Sequence, residues 1–391
     1  MFKTRLIMLA CLALAVLASC NSKEKARMPK QFTAEQLYNN LSVGAAGFSA
    51  DESKILVDNN ATGIYNVFEL NIADTTYKPL THSKKESFFA VDYLPGSSKY
   101  IYSADQGGNE NSHLYLANQA DTLVRDITPW PNSANSFAGW SADKKAMYVT
   151  SNQRDPKFFD IWKLDTLTWK PTLLYQNNEG LDPAGVSKSE RYIALVKSIT
   201  TDKNELYLYD QKTKTSKRLS NDNEATWNPA GFEKNDSIMY YTTNDGSEFS
   251  YLVKYHINSG KAEKIFEDKW DVAGMSLSEN EKYHTIFVNE DGKNKILLFD
   301  HATGKTVSLP EIKDGDVLGV TISPSEKKLL LTVGSSTSPA NLYLYEIENK
   351  TLKQLTSTLN PEVDRNDLMQ AEVVRFKSFD GLEIPAIYYK P

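Results

Sequence analysis

Few residues have the type and spacing that chemistry requires. Gly185-Val186-Ser187-Lys188-Ser189 approaches Gly-x-Ser-x-Gly, the elbow that presents a serine nucleophile to a carbonyl. Its last position is serine, and it falls in a turn of the repeat described below, so it reads as a turn. Five histidines, His82, His113, His256, His284 and His301, are the available imidazole bases or zinc ligands. They are scattered between different repeats with no zinc-helix spacing, and read as surface or strand residues. Thr303-Gly304-Lys305 matches the tail of a phosphate loop but lacks the upstream glycine and lies at a hairpin turn. Asp105-Gln106-Gly107-Gly108-Asn109-Glu110-Asn111 is acidic and glycine-rich, yet lacks the Asp-x-Asp-x-Asp-Gly order of a calcium loop and reads as solvated. No catalytic, cofactor-binding or metal site is assigned. Trp130, in the aromatic and proline-rich stretch 129–140, reads as packing between repeats rather than lining a binding mouth.

The elements around these residues are strands. Seven blocks align: FSADESKILVD from Phe48, YLPGSSKYIYS from Tyr93, WSADKKAMYVT from Trp140, VSKSERYIALV from Val186, FEKNDSIMYYT from Phe232, LSENEKYHTIF from Leu277 and ISPSEKKLLLT from Ile322. Their spacings are 45, 47, 46, 46, 45 and 45 residues. Each block is an apolar residue, a polar turn and a strand; a second half adds two strands around a tight turn and often ends in Leu-Thr or Leu-Ser. Runs such as KILVD and AMYVT are apolar on both faces, so each sheet must be covered from two sides. Radial stacking of identical four-stranded sheets does this, and the period fits a propeller blade. The expected fold is all-β: a seven-bladed β-propeller of four antiparallel strands per blade over residues 32–358. The repeat opens on an inner strand near Val43 and closes on an outer strand near Thr356. Blades one and seven should therefore meet by side-chain packing, without a shared blade. Richness in Tyr (21), Phe (16) and Trp (6) favours strands as well.

Composition narrows the function classes. The hydrophobic fraction of 40% and charged fraction of 24% are those of a soluble globular chain, and the net charge of −6 argues against a general nucleic-acid binder. Lys3 and Arg5 precede an apolar stretch ending in small residues, the layout of a secretory signal peptide over residues 1–19. Leu17-Ala18-Ser19-Cys20 resembles the lipobox of bacterial lipoproteins, which implies a lipid on Cys20 and a flexible tether over residues 20–31. The only other cysteine is Cys11, inside the apolar stretch, so the mature chain has no disulfide and no cysteine metal site. The expected location is exported and lipid-anchored to a bacterial membrane through Cys20, facing the periplasm, with the outer membrane compatible.

Residues 359–391 form a linker and then a hairpin, with FKSF, DGL and EIPAIYY reading as strand, turn and strand. EVVRFKSFDGLEIPAIYYKP, from Glu372, resembles the entry into the α/β-hydrolase domain of bacterial members of the prolyl oligopeptidase family of serine peptidases. That resemblance extends over the chain from about Phe32. It implies a propeller that caps a hydrolase active site and admits peptides while excluding folded proteins. The family's Ser, Asp and His lie beyond Pro391, so none is carried over and this chain by itself is expected to be inactive. The Glu-Glu pair with which dipeptidyl-peptidase relatives hold a substrate's N-terminus is not found. Two readings remain: the access-controlling propeller of a secreted serine peptidase, with peptide as partner when joined to a catalytic domain, and a complete periplasmic Tol-like propeller that binds a protein or peptide. No cofactor is expected under either.

Overall fold

The computed structural model describes residues 30–120, 123–312 and 315–390. The expected signal peptide, the expected lipidation site Cys20 and most of the expected tether lie outside the described residues. Seven four-stranded antiparallel sheets follow one another along the chain, and an eighth, two-stranded sheet comes last. The blades span residues 43–79, 89–126, 135–175, 182–218, 227–266, 271–307 and 316–354. Every blade is built from consecutive strands in the order first to fourth.

Two-faced apolar runs produce the ring. In KILVD, Ile55 and Val57 point into a cluster with Leu330, Leu342 and Leu344 of blade seven, while Leu56 points into a cluster with Tyr100 and Tyr102 of blade two. In AMYVT, Met147 and Val149 face blade two and Tyr148 faces blade four. Seven such clusters occupy the seven boundaries between neighbouring blades, including the closing boundary from seven to one. The alternation of side chains along a strand delivers one apolar set to each neighbour.

The Leu-Thr ending also has a cause. The aliphatic residue leaves the fourth strand to enter the core, as Leu80, Ile127 and Leu355 do. The following hydroxyl then accepts a third-strand N–H: Val67 to Thr81 (2.8 Å), Leu114 to Thr128 (2.9 Å), Leu206 to Ser220 (3.2 Å) and Leu342 to Thr356 (2.8 Å). A buried donor that the departing strand would orphan is thereby satisfied.

No strand from residues 32–42 joins blade seven. That segment forms the short helix Ala34–Tyr38, whose N-cap Thr33 and Gln36 make a reciprocal capping box. It is tied to the chain leaving blade seven: Leu41 N–H donates to the Thr358 carbonyl (3.0 Å), and Asn360 donates to Asn40 Oδ1 and the Gln36 carbonyl (both 2.8 Å). The circle is closed by packing and by this polar clasp.

Candidate functional site: the propeller bore and its two mouths

The first strands ring the axis. Fourth strands such as Thr351–Gln354 are exposed throughout, whereas turns that follow the first strands of opposite blades touch one another, as described below. Each first strand carries a β-bulge at the same place, on Ala46, Val91, Ala138, Ala184, Ala230, Ala273 or Leu318. Five of these are alanine, and Ala46 and Ala230 pack against the clusters between blades. Glycine follows the bulge in six blades; blade two has Asp92 instead.

Asp92 is wedged between neighbours. A Cβ on Gly47 of blade one would come within 2.6 Å of its Oδ1, so glycine there is what makes room for the carboxylate. Its Oδ2 accepts from Trp140 Nε1 of blade three (2.8 Å) and its Oδ1 from the Tyr93 N–H (2.8 Å). Burial raises its pKa above the usual aspartate range, against the pull of the Trp140 hydrogen bond. Sequence reasoning passed over Asp92, although the column of glycines in the repeat marks it.

The turns between first and second strands form one mouth. In six blades a non-glycine residue of this turn is left-handed: Glu52, Lys144, Glu190, Asp236, Glu281 and Glu326, with φ between 53° and 64°. The carboxylates among them reach back to the preceding blade. Glu52 accepts the Ser325 N–H (2.6 Å) and hydroxyl (2.8 Å), joining blade one to blade seven. Glu190 accepts from Tyr148 (2.7 Å), Asp236 from Ser187 (3.0 Å), Glu281 from the Lys234 N–H, and Glu326 from the Asn280 N–H (2.8 Å). Five of the seven boundaries therefore carry a carboxylate clasp. Blade two has Ser97 at that position, and in blade three Lys144 turns across the axis to Glu279 of blade six (2.9 Å).

The other mouth, where first strands begin, carries the two-stranded hairpin Glu372–Lys377 and Glu383–Tyr388. Its turn is closed by Ser378 N–H to the Leu382 carbonyl (2.8 Å) and by Asp380 Oδ1, which accepts the Leu382 N–H (3.0 Å). The strand, turn and strand read from the sequence are thus present. The hairpin rests on blades six and seven: Arg375 pairs with Asp291, Ile387 covers Gly292, and the Ala371 N–H donates to Ser336 (3.0 Å). Phe376, Phe379, Leu382 and Ile387 remain more than half exposed. Beneath it lies a cavity of about 650 Å³ walled by Asp316, Leu318, Lys293, Ser336, Ile387 and Tyr389.

The weak motifs resolve as local structure. Ser187 lies buried in its turn, accepting the Tyr192 N–H (3.0 Å) and donating to Asp236. Asp300 accepts from the Thr303 N–H (2.9 Å) and hydroxyl (2.6 Å), so Thr303–Lys305 is a hairpin turn. Asp105 accepts the Glu110 N–H (2.9 Å) within its own loop. Trp130 packs on Trp162 at 5.5 Å in the cluster between blades two and three, as the packing reading expects. The histidines need a correction. His284 and His301 are not in different repeats: both belong to blade six, with ring nitrogens 3.2 Å apart. Pairing of the second and third strands brings together residues 17 positions apart, which spacing rules for helices do not capture.

The family described as prolyl oligopeptidase, N-terminal beta-propeller domain, matches residues 80–358. Dipeptidyl aminopeptidase BIII of Pseudoxanthomonas mexicana is 24% identical over 288 residues, covering 72% of this chain and 41% of that protein. Dipeptidyl peptidase family member 6 of Caenorhabditis elegans is 19% identical over 380 residues, covering 91% of this chain and 51% of that protein. The chain thus spans about half the length of the curated relatives it matches. Among solved structures, prolyl oligopeptidase B from Galerina marginata superposes with a TM-score of 0.67 at 16% identity, covering 90% of this chain and 55% of that one. A puromycin-hydrolyzing peptidase of Mycobacterium tuberculosis gives 0.73 at 11% identity, covering 93% and 61%. With its seven contiguous blades and a match over most of its length, this chain belongs to the prolyl oligopeptidase N-terminal β-propeller family.

Proposed function

We propose that this chain is the access-controlling propeller of a secreted prolyl oligopeptidase-like serine peptidase acting on peptides, anchored to a bacterial membrane through a lipid on Cys20. The observation that carries the reading is the seating of the hairpin. Arg375–Asp291 and Ile387 over Gly292 hold it at one mouth of the bore, above the 650 Å³ cavity, with an apolar surface turned outward. A hydrolase domain entered through that hairpin would sit over this mouth and cover the exposed Phe376 and Phe379. The propeller would then act by exclusion, since a narrow bore walled by strand backbone admits an extended chain and rejects a folded domain. Chemistry is assigned outside the propeller, because the 391 residues hold no Gly-x-Ser-x-Gly.

The reading is tested on the gene. Continuation of the reading frame past the codon for Pro391 into a His-Gly-Gly stretch and a Gly-x-Ser-x-Gly motif is the expected result. A stop codon there, with a stable exported product that captures a peptide or protein in the Tol-like manner, would overturn it.

A further inference from the structure

The mouth away from the hairpin is spanned by charge. Lys144 belongs to blade three and Glu279 to blade six, on opposite sides of the ring, and their side chains meet at 2.9 Å. Both are about two-fifths exposed, so the pair stands in the opening rather than in the wall. Lys144 occupies the position that carries a clasping carboxylate in five other blades, which frees it to reach inward. Asp92 and Lys188 both lie within reach of the charges of Lys144 and Glu279, and Lys234 and Glu281 also act on Lys188. A pocket of about 220 Å³ beside Lys144, between blades three and four, is lined by Ala138, Trp140, Tyr148 and Lys188.

We infer that Lys144 and Glu279 form a charge latch across this mouth of the bore, the mouth that the hairpin leaves uncovered. A pair held between opposite blades restricts passage without any change in the blades themselves. It breaks when either side chain turns aside, and it is exposed enough for dissolved ions to compete with it. The consequence for peptide traffic rests on the function proposed above; the latch itself does not.

The test places a single reporter in the pocket that Lys144 lines, Ala138→Cys in the full chain, and follows its maleimide modification by peptide-mapping mass spectrometry, which separates it from Cys11 and Cys20. Glu279→Gln in that background should speed modification by roughly fivefold, the factor corresponding to the ~1 kcal/mol upper range of an exposed pair. Lys144→Gln should do the same. In the latch-intact chain, 1 M sodium chloride should reproduce much of the acceleration, and the same salt should add little to the Glu279→Gln variant. The salt arm needs no latch substitution, so it stands even if a variant folds poorly. Equal rates with and without the latch, or equal salt responses in both chains, would overturn the inference. Neither readout depends on peptidase chemistry, so failure of the latch and failure of the proposed function are distinguishable.

Discussion

Glu52 closes the ring, and its removal is the most informative single perturbation. The residue is 7% exposed and accepts two hydrogen bonds from Ser325, while Lys328 Nζ donates to its backbone carbonyl (3.0 Å). Hydrogen bonds to a charged acceptor contribute about 1.5–3 kcal/mol each, and the two share one partner, so Glu52→Ala should cost about 3 kcal/mol. Unfolding entropy is about 2.1 cal/mol/K per residue; over roughly 310 residues in seven sheets that is about 0.65 kcal/mol/K. The melting temperature should therefore fall by about 5 °C in differential scanning calorimetry. Glu52 also has φ 53°, a left-handed conformation that costs about 1 kcal/mol for a residue with a Cβ. Glu52→Gly loses the same bonds but relieves that cost, so it should melt between Glu52→Ala and the parent. A Glu52→Ala variant melting within about 1 °C of the parent, or above the glycine variant, would refute the clasp.

Other outcomes follow from the same geometry. Leu56→Ala, which empties a fully buried site between blades one and two, should cost about 2–5 kcal/mol in denaturant titration. His284 is held near pKa 4 by burial and by His301, below its ordinary value of 6.5. The unfolded chain therefore takes up the proton first as pH falls, and stability declines between about pH 6.5 and 4, then levels. His284→Phe, placed against Phe299, should reduce that decline by roughly 2–3 kcal/mol in urea titrations run across the window. Arg375→Ala should speed amide hydrogen exchange across Glu372–Lys377 and Glu383–Tyr388 while leaving the propeller's melting temperature unchanged, because its ion pair with Asp291 fixes only the hairpin.

Much of the fold was readable because propeller blades repeat their solution. Ile55, Leu56 and Val57 announce a sheet covered on both faces, and seven blocks at six even spacings leave radial stacking as the arrangement that supplies the cover. The hairpin was readable for a local reason: Asp380-Gly381 sets a turn between two β-rich runs. The bore was less legible. Glu190, Asp236, Glu281 and Glu326 stand at one column of the aligned blocks with Glu52, but an acid in a polar turn gives no sign that its backbone is left-handed or that it reaches a neighbouring blade. Asp92 needed the bulge to be seen before its glycine counterparts acquired meaning. Lys144 and Glu279 are 135 residues apart and meet only because the chain closes a circle, so no local pattern could join them.

The central claim is that this chain supplies a guarded passage and the chemistry belongs elsewhere. The most direct measurement treats the purified 391-residue chain with a fluorophosphonate serine probe and reads the adduct by intact mass. No adduct is the predicted result; stoichiometric labelling of one serine would contradict the account.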